Sequence, residues 1–256
     1  MASGNLMAGK VVAVTGAGGG IGRDIALLMG AQGARVVVND IGASLSGDGR
    51  DGGPAQQVVD EIRAAGGEAI ASTDSVAEAA SAKRIVETAL DTYGRIDAVV
   101  NNAGILRDKS FINMSTEDFE RVIAVHLLGT ANFTHAAWGA MRDQNYGRVV
   151  FTSSASGVYG NFGQANYGAA KAAMIGLMNV LHLEGAKYDI RVNTLVPSAA
   201  TDMTRALLPA EALELLAPEN VTPAVLFLCG RDKIGLDTSS SGCNPSTSTD
   251  LGTATS

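Results

Sequence analysis

The sequence predicts an α/β protein, a doubly wound parallel sheet with helices on both faces. Short apolar runs alternate with longer helical patterns along most of the 256-residue chain. The short runs are apolar on both faces of the expected strands, and such strands need helices above and below the sheet. Repeated βαβ units of this kind place their ligands at the carboxyl ends of the strands.

The strands are predicted from short β-branched runs that stop at glycine or polar residues. The first run, KVVAVT at residues 10–15, lies between Gly9 and Gly16. The six predicted strands cover residues 10–15, Arg35–Asn39, Glu68–Ser72, 96–101, 149–153 and 190–196.

The helices are predicted from apolar residues at helical spacing. In the first helix Ile21, Ile25 and Leu28 recur at this spacing, and Gly33 is placed to end it. Proline is favoured in the first helical turn, so Pro54 marks the start of the second helix. The five predicted helices cover residues 20–32, 54–65, 76–93, 116–141 and 167–187.

Composition excludes several classes of protein. Acidic residues outnumber basic ones by 26 to 19, which argues against a nucleic-acid partner because phosphate backbones attract clustered Lys and Arg. No apolar run is long enough for a membrane span, and the first ten residues lack the pattern of a signal peptide. Cys229 and Cys243 form neither a disulfide framework nor a metal-binding spacing. We therefore expect a cytoplasmic protein in a reducing compartment, with no metal.

Residues 231–256 differ from the rest of the chain. Eleven of these twenty-six residues are Ser or Thr, and no strand-like apolar run occurs among them. This composition is typical of a disordered tail. The expected organisation is one domain over residues 8–230, followed by that tail.

The turn after the first strand has the composition of a phosphate-binding loop. Its sequence, TGAGGGIG at residues 15–22, lies between a predicted strand and a predicted helix. Glycine lets the backbone approach a pyrophosphate, and the start of the helix offers N–H groups and a positive dipole end. Gly16, Gly20, Ile21 and Gly22 are therefore candidate dinucleotide contacts, although a glycine-rich turn alone is weak evidence.

Asp40 ends the second strand, about eighteen residues beyond Gly22. A carboxylate there accepts hydrogen bonds from an adenosine ribose and repels a 2′-phosphate. Because no Lys or Arg stands at Gly19 or Ile41, the sequence predicts NAD rather than NADP as the cofactor. The alternative is that Asp40 only caps a turn.

Tyr167 and Lys171 lie four residues apart in a predicted helix and so share one face. Ser154 comes at the carboxyl end of the fifth strand, where this fold places its ligands. We expect Lys171 to lower the pKa of the Tyr167 phenol, so that Tyr167 exchanges a proton with a substrate oxygen held by Ser154. Ser153 and Ser156 are neighbours that compete for the role of Ser154, or all three satisfy backbone groups.

These motifs resemble the short-chain dehydrogenase/reductase family, whose fold is Rossmann-type. The matching phrases are Thr-Gly-x-x-x-Gly-Ile-Gly at residues 15–22, Asn-Asn-Ala-Gly at residues 101–104, Ser154, and Tyr-x-x-x-Lys at residues 167–171. The resemblance covers residues 8–230 and identifies this range as a dinucleotide-binding catalytic domain.

Four longer phrases resemble one branch of that family, the (3R)-hydroxyacyl-CoA dehydrogenase domain of the peroxisomal multifunctional enzyme. They are VND at residues 38–40, the glycine-rich insert at residues 42–53, NNAGILRDKS at residues 101–110 and TSSASGVYGNFGQANYGAAK at residues 152–171. Because that branch also includes 17β-hydroxysteroid dehydrogenase activity, the resemblance implies both substrate classes.

The resemblance also assigns roles. It implies Tyr167 as acid/base, Ser154 as the anchor of the substrate oxygen, and Lys171 as the ligand of the nicotinamide ribose. The implied cofactor-binding residues are Gly16, Gly20, Ile21, Gly22, Asp40, Asp74, Ser75, Asn101, Ala103, Gly104, Tyr167, Lys171, Pro197 and Ser198. A homodimer or homotetramer is the assembly that the resemblance implies.

The chain departs from the family pattern at three places. His126 stands where the wider family has a catalytic Asn, and it is either a proton relay or a packed histidine. Pro197-Ser198 replaces the usual Pro-Gly, and the resemblance implies a contact of this pair with the nicotinamide carboxamide. Nothing in residues 231–256 supplies the usual seventh strand, so we expect a sheet without it.

The leading hypothesis is an NAD-dependent oxidoreductase that interconverts a secondary alcohol and a ketone on a large apolar substrate. Residues 201–217 are leucine-rich and form either a lid over an apolar pocket or a helix packed on the core. Lys109 and Arg107 either meet CoA phosphates or face solvent. The alternatives are an NADPH-dependent 3-ketoacyl-carrier reductase and a non-catalytic nucleotide-binding scaffold.

Overall fold

Six parallel strands form one sheet in the described part of the computed structural model, which comprises residues 5–49, 51–197 and 220–230. The strands are β1 (Val11–Thr15), β2 (Arg35–Asn39), β3 (Glu68–Ser72), β4 (Ala98–Asn101), β5 (Gly147–Thr152) and β6 (Ile190–Leu195). Their order in the sheet is β3-β2-β1-β4-β5-β6. The order reverses between β1 and β4, and a crevice opens at the carboxyl ends of strands at such a point.

Eight helices of the described residues surround the sheet. They are α1 (Gly20–Ala31), α2 (Gly53–Ala64), α3 (Ala79–Tyr93), α4 (Thr116–Ile123), α5 (Gly129–Gln144), α6 (Ala155–Tyr159), α7 (Ala165–Gly185) and α8 (Thr222–Cys229). A π-helical turn at Ala124–Leu128 joins α4 to α5, and 3₁₀ turns lie at Phe111–Asn113 and Ala186–Tyr188.

The core is divided between the two faces of the sheet. In β1, Val12 and Val14 pack on the face covered by α1, α2 and α8. Val11 and Ala13 point to the opposite face, which is covered by α3, α5 and α7. Successive side chains of a strand alternate between faces, so a strand buried on both sides has to be apolar throughout. The predicted fold class is therefore confirmed.

The long helix predicted for residues 116–141 is wrong in one respect. The structure interrupts it with the π-helical turn, and α5 continues to Gln144. Short helix α6 was not predicted, because five residues carry too little periodicity to detect. The predicted tail, the expected absence of a seventh strand and the leucine-rich segment at residues 201–217 lie outside the described residues.

A buried carboxylate ties β1 to β4 at the edge of the sheet opposite the crevice. Asp97 is 1% exposed and accepts hydrogen bonds from the N–H of Val11 at 2.9 Å, from Lys10 Nζ at 3.0 Å and from the Arg95 guanidinium at 2.7 and 2.8 Å. Burial alone raises the pKa of Asp97, but the bonds from Arg95, Val11 and Lys10 outweigh it and leave that pKa lowered. The charged form therefore stabilises the junction of the two strands.

Replacing Asp97 with Asn should lower the free energy of unfolding by about 3 kcal/mol at neutral pH, because it removes the buried negative charge that pairs with Lys10 and Arg95. Because the pKa of Asp97 is lower in the folded than in the unfolded protein, its charge stabilises the fold at pH values above the unfolded-state pKa. This stabilisation is lost as the pH falls through the folded-state pKa. The difference in free energy of unfolding between the parent protein and the Asp97 variant, measured by urea denaturation, should therefore decrease in acid. Asp60→Asn, at an exposed carboxylate on α2, is the matched control; an equal loss in both variants would contradict the prediction.

Candidate active site

A cavity of about 1110 Å³ lies at the carboxyl ends of the strands, beside the turn that follows β1. The sequence-predicted residues that line it are Gly16, Gly20, Ile21, Asp40, Asp74, Ser75, Ala103, Gly104, His126, Ser154, Tyr167, Lys171 and Pro197. One cavity thus brings together the residues predicted to hold a dinucleotide and those predicted to be catalytic.

Three predicted contacts do not line this cavity among the described residues. Asn101 is 4% exposed, and its amide donates to Thr134 Oγ1 at 3.2 Å instead. Gly22 supports the wall from behind, since a Cβ there would lie 2.1 Å from the carbonyl oxygen of Gly16. Ser198 lies outside the described residues. Asn101 is therefore a packing residue in this structure, although the sequence proposed it as a cofactor contact.

The glycine turn fits the pyrophosphate of a dinucleotide. Helix α1 begins at Gly20 without a side-chain cap and without an acidic residue in its first turn, so its first N–H groups face an anion-binding space. A Cβ built at Gly19 or Gly20 would meet no protein atom within 4 Å. At Gly16, where φ is +64°, a Cβ would instead lie 2.8 Å from Ala103 Cα. Glycine is thus required both for the backbone conformation and for the close approach.

Asn102 holds this turn in place, and the sequence analysis missed it. Its side-chain amide donates to the carbonyl oxygens of Thr15 and Gly16, both at 3.1 Å. Thr15 Oγ1 accepts in return from the N–H groups of Asn102 and Ala103, also at 3.1 Å. These bonds join the turn after β1 to the loop after β4. The signal was present in the Asn-Asn pair, but the prediction selected the first Asn.

Both oxygens of Asp40 accept backbone hydrogen bonds. Oδ2 accepts from Gly18 N–H at 2.8 Å, and Oδ1 accepts from Gly42 N–H at 2.7 Å. A carboxylate has about four lone-pair positions, so capacity for ribose hydroxyls remains. Asp40 therefore caps two turns and also faces the cavity, so the two roles that the sequence left as alternatives do not exclude each other. Asp74 lines the same end of the cavity and accepts from Arg84 Nε at 2.7 Å.

The catalytic candidates converge at the other end of the cavity. Ser154 precedes α6 as its N-cap, and Tyr167 and Lys171 lie on the first turns of α7. Ser154 is near enough to the Tyr167 phenol to influence its pKa, and Lys171 Nζ lies 5.4 Å from the centre of the Tyr167 ring. Lys171 Nζ donates to the carbonyl oxygen of Thr152, which fixes it below the phenol. This group can anchor an oxygen and transfer a proton.

The pKa of Tyr167 differs from the expected direction. Burial raises it above the usual phenol range, although the hydrogen bond from Ser154 lowers it and nearby Asp108 raises it further. Burial also lowers the pKa of Lys171 to about 7. The expectation that Lys171 lowers the phenol pKa is thus not realised in this structure, because desolvation of the phenolate dominates.

The other serines of the predicted group have structural partners. Ser153 Oγ donates to the carbonyl oxygen of Lys171 at 2.7 Å. Ser156 Oγ donates to Gln164 Oε1 at 2.7 Å, and Gln164 in turn donates to Asp108 at 2.7 Å. Ser154 Oγ accepts from the N–H of Ser156 at 3.2 Å, and of the three serines it is the one that influences the pKa of the Tyr167 phenol, which fits the anchor role.

His126 is buried in the wall beside Tyr167. Its ring meets that of Tyr167 edge-on, with centroids 5.1 Å apart. Nε2 lies 2.8 Å from the carbonyl oxygen of Ile105 and 3.0 Å from its N–H. Burial and the nearby charge of Lys171 lower the pKa of His126 to about 3. A ring that stays neutral near pH 7 favours the packing role over the proton relay.

The fold is of the dinucleotide-binding type, and a serine, a tyrosine and a lysine lie together in its cavity. Residues 10–212 match the family model of the short chain dehydrogenases. The chain belongs to this family of oxidoreductases, which bind a nicotinamide cofactor. Within the described residues, no helix is long and apolar enough to cross a membrane.

Several curated proteins are similar over most of the chain. The peroxisomal multifunctional enzyme type 2 of Mus musculus is 54% identical over 221 residues, which is 86% of this chain but 30% of the mouse enzyme. A protein of Mycobacterium tuberculosis described as a short-chain type dehydrogenase/reductase is 53% identical over 220 residues, which is 86% of this chain and 77% of that protein. The 3-oxoacyl-[acyl-carrier-protein] reductase of a Synechocystis species is 40% identical and 88% covered, again over 86% of this chain.

Solved structures agree with these matches. A short chain dehydrogenase from Mycobacterium avium superposes with a TM-score of 0.78 at 45% identity, covering 88% of this chain and 78% of the other. A 7α-hydroxysteroid dehydrogenase, solved with NADH and 7-oxo glycochenodeoxycholic acid, gives a TM-score of 0.80 at 27% identity. The coverage there is 90% of this chain and 91% of the other.

Replacing Gly22 with Ala should weaken dinucleotide binding about tenfold or more, since overpacking of this kind costs about 1–3 kcal/mol. The added Cβ would lie 2.1 Å from the carbonyl oxygen of Gly16, so the phosphate-binding turn has to move. Fluorescence titration with NADH measures the dissociation constant. Gly139→Ala, on the exposed side of α5 with no atom within 4 Å of the new Cβ, is the control. Unchanged binding by the Gly22 variant would show that the turn does not hold the dinucleotide.

Proposed function

We propose that the protein is an NAD-dependent dehydrogenase that interconverts a secondary alcohol and a ketone on a large apolar substrate. The substrate classes are (3R)-3-hydroxyacyl-CoA and 17β-hydroxysteroid. One observation carries the proposal. Ser154, Tyr167 and Lys171 line the same cavity as an uncapped glycine turn and Asp40. The convergence of all three catalytic groups in that cavity counts against a non-catalytic scaffold.

In the direction of oxidation, the substrate hydroxyl lies between Ser154 and Tyr167. Ser154 Oγ holds the oxygen by a hydrogen bond, and Tyr167 takes up the hydroxyl proton as the ketone forms. A bound nicotinamide supplies the chemistry of hydride transfer. Since burial raises the pKa of Tyr167, a phenolate needs a positive charge nearby, and Lys171 Nζ, 5.4 Å from the ring centre, is placed to supply it when protonated.

NAD is the proposed cofactor because of the charge at Asp40. Its described hydrogen-bond partners are the N–H groups of Gly18 and Gly42, so no basic side chain is bonded to it. A 2′-phosphate there would place about two further negative charges against the carboxylate. The structural relative solved with NADH agrees with this choice.

A large apolar substrate is supported by the surface beside the catalytic end. Phe111, Ile112 and Phe162 are 75%, 91% and 90% exposed. The N–H of Lys109 donates to the carbonyl oxygen of Gly163 at 2.9 Å, which joins the two loops that carry them. The name of the mouse relative supports the multifunctional-enzyme branch, and that of the solved relative supports a hydroxysteroid.

The rival is an NADPH-dependent reductase of 3-ketoacyl groups on a carrier, which the cyanobacterial relative favours. Its lower identity, 40% against 54%, and the acidic residue at position 40 favour NAD-dependent oxidation. A parallel assay of cofactor reduction with estradiol and with a (3R)-hydroxyacyl-CoA, each with NAD and NADP, separates these readings.

Location, assembly and domain limits remain predictions. Several relatives are named as peroxisomal, so the predicted cytoplasmic location has a competitor. A homodimer or homotetramer is supported by Val180 and Leu183, which are 53% and 75% exposed on α7. The division into a domain of residues 8–230 and a tail of residues 231–256 is also still a proposal.

Tyr167→Phe should lower kcat at least about a hundredfold, because a general acid/base typically contributes 10²–10⁴-fold. NADH binding should change little, since the ring and its packing remain. Steady-state kinetics with a substrate found in the parallel assay, together with NADH titration, measures both. Tyr159→Phe, at a 79% exposed residue, is the matched control. A variant that kept more than about a tenth of kcat would exclude Tyr167 as the acid/base.

Asp40 should set a preference for NAD over NADP of about a hundredfold in kcat/KM, corresponding to about 3 kcal/mol. Asp40→Ala should narrow this ratio. It also releases the Gly18 and Gly42 N–H groups, but this loss affects both cofactors and cancels in the ratio. Asp74→Ala removes a second carboxylate of the cavity and should leave the ratio unchanged. Equal use of both cofactors by the parent protein would refute the assignment of Asp40.

A further inference from the structure

Residues 42–49 form a strap along the nucleotide end of the cavity. The strap begins two residues after Asp40, whose carboxylate binds its first N–H, that of Gly42. It closes on itself through Ser44, which donates its N–H to the carbonyl oxygen of Asp48 at 2.9 Å. Most of its residues line the cavity. A nucleotide bound at Asp40 would therefore lie beside the strap.

Two arginines and one backbone bond dock the strap onto the loop after β4 and onto α4. Arg107 donates to the carbonyl oxygen of Ser46 at 2.9 Å and to Asp48 Oδ1 at 3.0 Å. Arg121 donates to the carbonyl oxygen of Gly47 at 3.0 Å. The N–H of Leu106 donates to the carbonyl oxygen of Leu45 at 2.9 Å. The Arg107 guanidinium is thus hydrogen-bonded within the protein through Nε and Nη2, although the sequence suggested solvent or a CoA phosphate for it.

Arg107 is also fixed from its other side. Its guanidinium donates to Asp118 Oδ1 at 2.9 Å, and Lys109 donates to the second oxygen of Asp118 at 2.9 Å. These hydrogen bonds hold the pKa of Asp118 well below its usual range. The side chain of Arg107 is 19% exposed. It is therefore a constrained junction between the strap and α4.

The same residue reaches the catalytic tyrosine through one buried amide. Asn166, 0% exposed, donates to the carbonyl oxygens of Arg107 at 3.1 Å and Asp118 at 3.3 Å. Its Oδ1 accepts from the backbone N–H of Tyr167 at 2.7 Å. That N–H lies in the first turn of α7, where the helix itself supplies no acceptor. The path from the strap to Tyr167 thus runs through Arg107 and Asn166.

We propose that Arg107 is a positioning residue that couples occupancy of the nucleotide end of the cavity to the placement of Tyr167. A nucleotide that orders the strap fixes the Arg107 guanidinium, and the Arg107 carbonyl then holds Asn166 and the first turn of α7. The coupling acts without direct contact between the nucleotide and Tyr167. This inference rests on the proposed dinucleotide-dependent function.

The exchange rate of the Tyr167 amide hydrogen reports on its bond to Asn166. The experiment measures that rate in the full chain, with residue-resolved hydrogen exchange, with and without saturating ADP. ADP is the probe because it has neither the nicotinamide nor its ribose. ADP should slow exchange at Tyr167 about fivefold or more in the parent protein, the lower end of typical coupling between sites.

Arg107→Lys keeps a positive charge but cannot make the three-way fork of contacts. This variant should retain ADP binding at saturation and lose most of the ADP response at Tyr167. Asp48→Ala removes one contact of Arg107 at a 68% exposed carboxylate and should give an intermediate response. Asp60→Ala, the same change at an exposed carboxylate outside the cavity, should behave as the parent. If Arg107→Lys does not fold, Asp48→Ala against Asp60→Ala decides the question.

Coupling between binding sites is reciprocal, which supplies a second readout. Asn166 does not line the described cavity. Asn166→Ala should nevertheless weaken ADP binding by about the same factor by which ADP slows exchange at Tyr167. Calorimetry on protein shown to be folded measures this affinity. The coupling is overturned if ADP does not slow exchange at Tyr167 in the parent protein. It is also overturned if the ADP response is unchanged in both the Arg107 and the Asp48 variant. Either result leaves the dehydrogenase proposal intact. A parent protein that binds neither ADP nor NADH overturns both proposals.

Discussion

The close contact between the glycine turn and the loop after β4 is the constraint on which the site depends. Because β1 and β4 are neighbours at the reversal of strand order, the chain leaves them toward different parts of the molecule. Asn102 closes this gap by donating to the carbonyls of Thr15 and Gly16, and no side chain fits between Gly16 and Ala103. The glycine turn and the loop after β4, which carries Arg107 and contacts His126, are therefore held together by these contacts. These contacts fix the position of one end of the cavity relative to the other.

The parts of this arrangement that follow from local patterns could be predicted from sequence. Strands β2 and β3 have the predicted bounds, and in β2 three valines buried on two faces leave few alternatives. Tyr167 and Lys171 were paired by helical spacing alone. Which of two adjacent Asn residues faces the cavity could not be decided in this way, since successive residues at a strand end point to opposite sides. The bonds of His126 to Ile105 and of Asn166 to Arg107 join residues 21 and 59 positions apart, and no local pattern contains them.

Charge was harder to predict than backbone. Arg107 looked suited to solvent or to phosphate, yet its partners are Asp118 and Asp48, the latter 59 residues away. Lys171 was expected to lower the pKa of Tyr167, but burial acts on both groups at once. It disfavours the phenolate and the ammonium alike, which raises one pKa and lowers the other. A sequence shows which titratable groups share a helix face. It does not show how much water they lose, and in this cavity that loss has the larger effect.

His126 destabilises the fold but helps to define the geometry of the cavity. Among the described groups its Nδ1 has no hydrogen-bond partner, and a buried unsatisfied polar atom costs about 1–3 kcal/mol. The ring also requires glycine at position 104, where a Cβ would lie 2.4 Å from His126 Cε1. The ring gives Tyr167 an edge-on aromatic wall, and His126 lies in the π-helical turn, a feature often found at functional sites. Because this ring stays neutral near pH 7, it bounds the position of the phenol without adding a charge beside it.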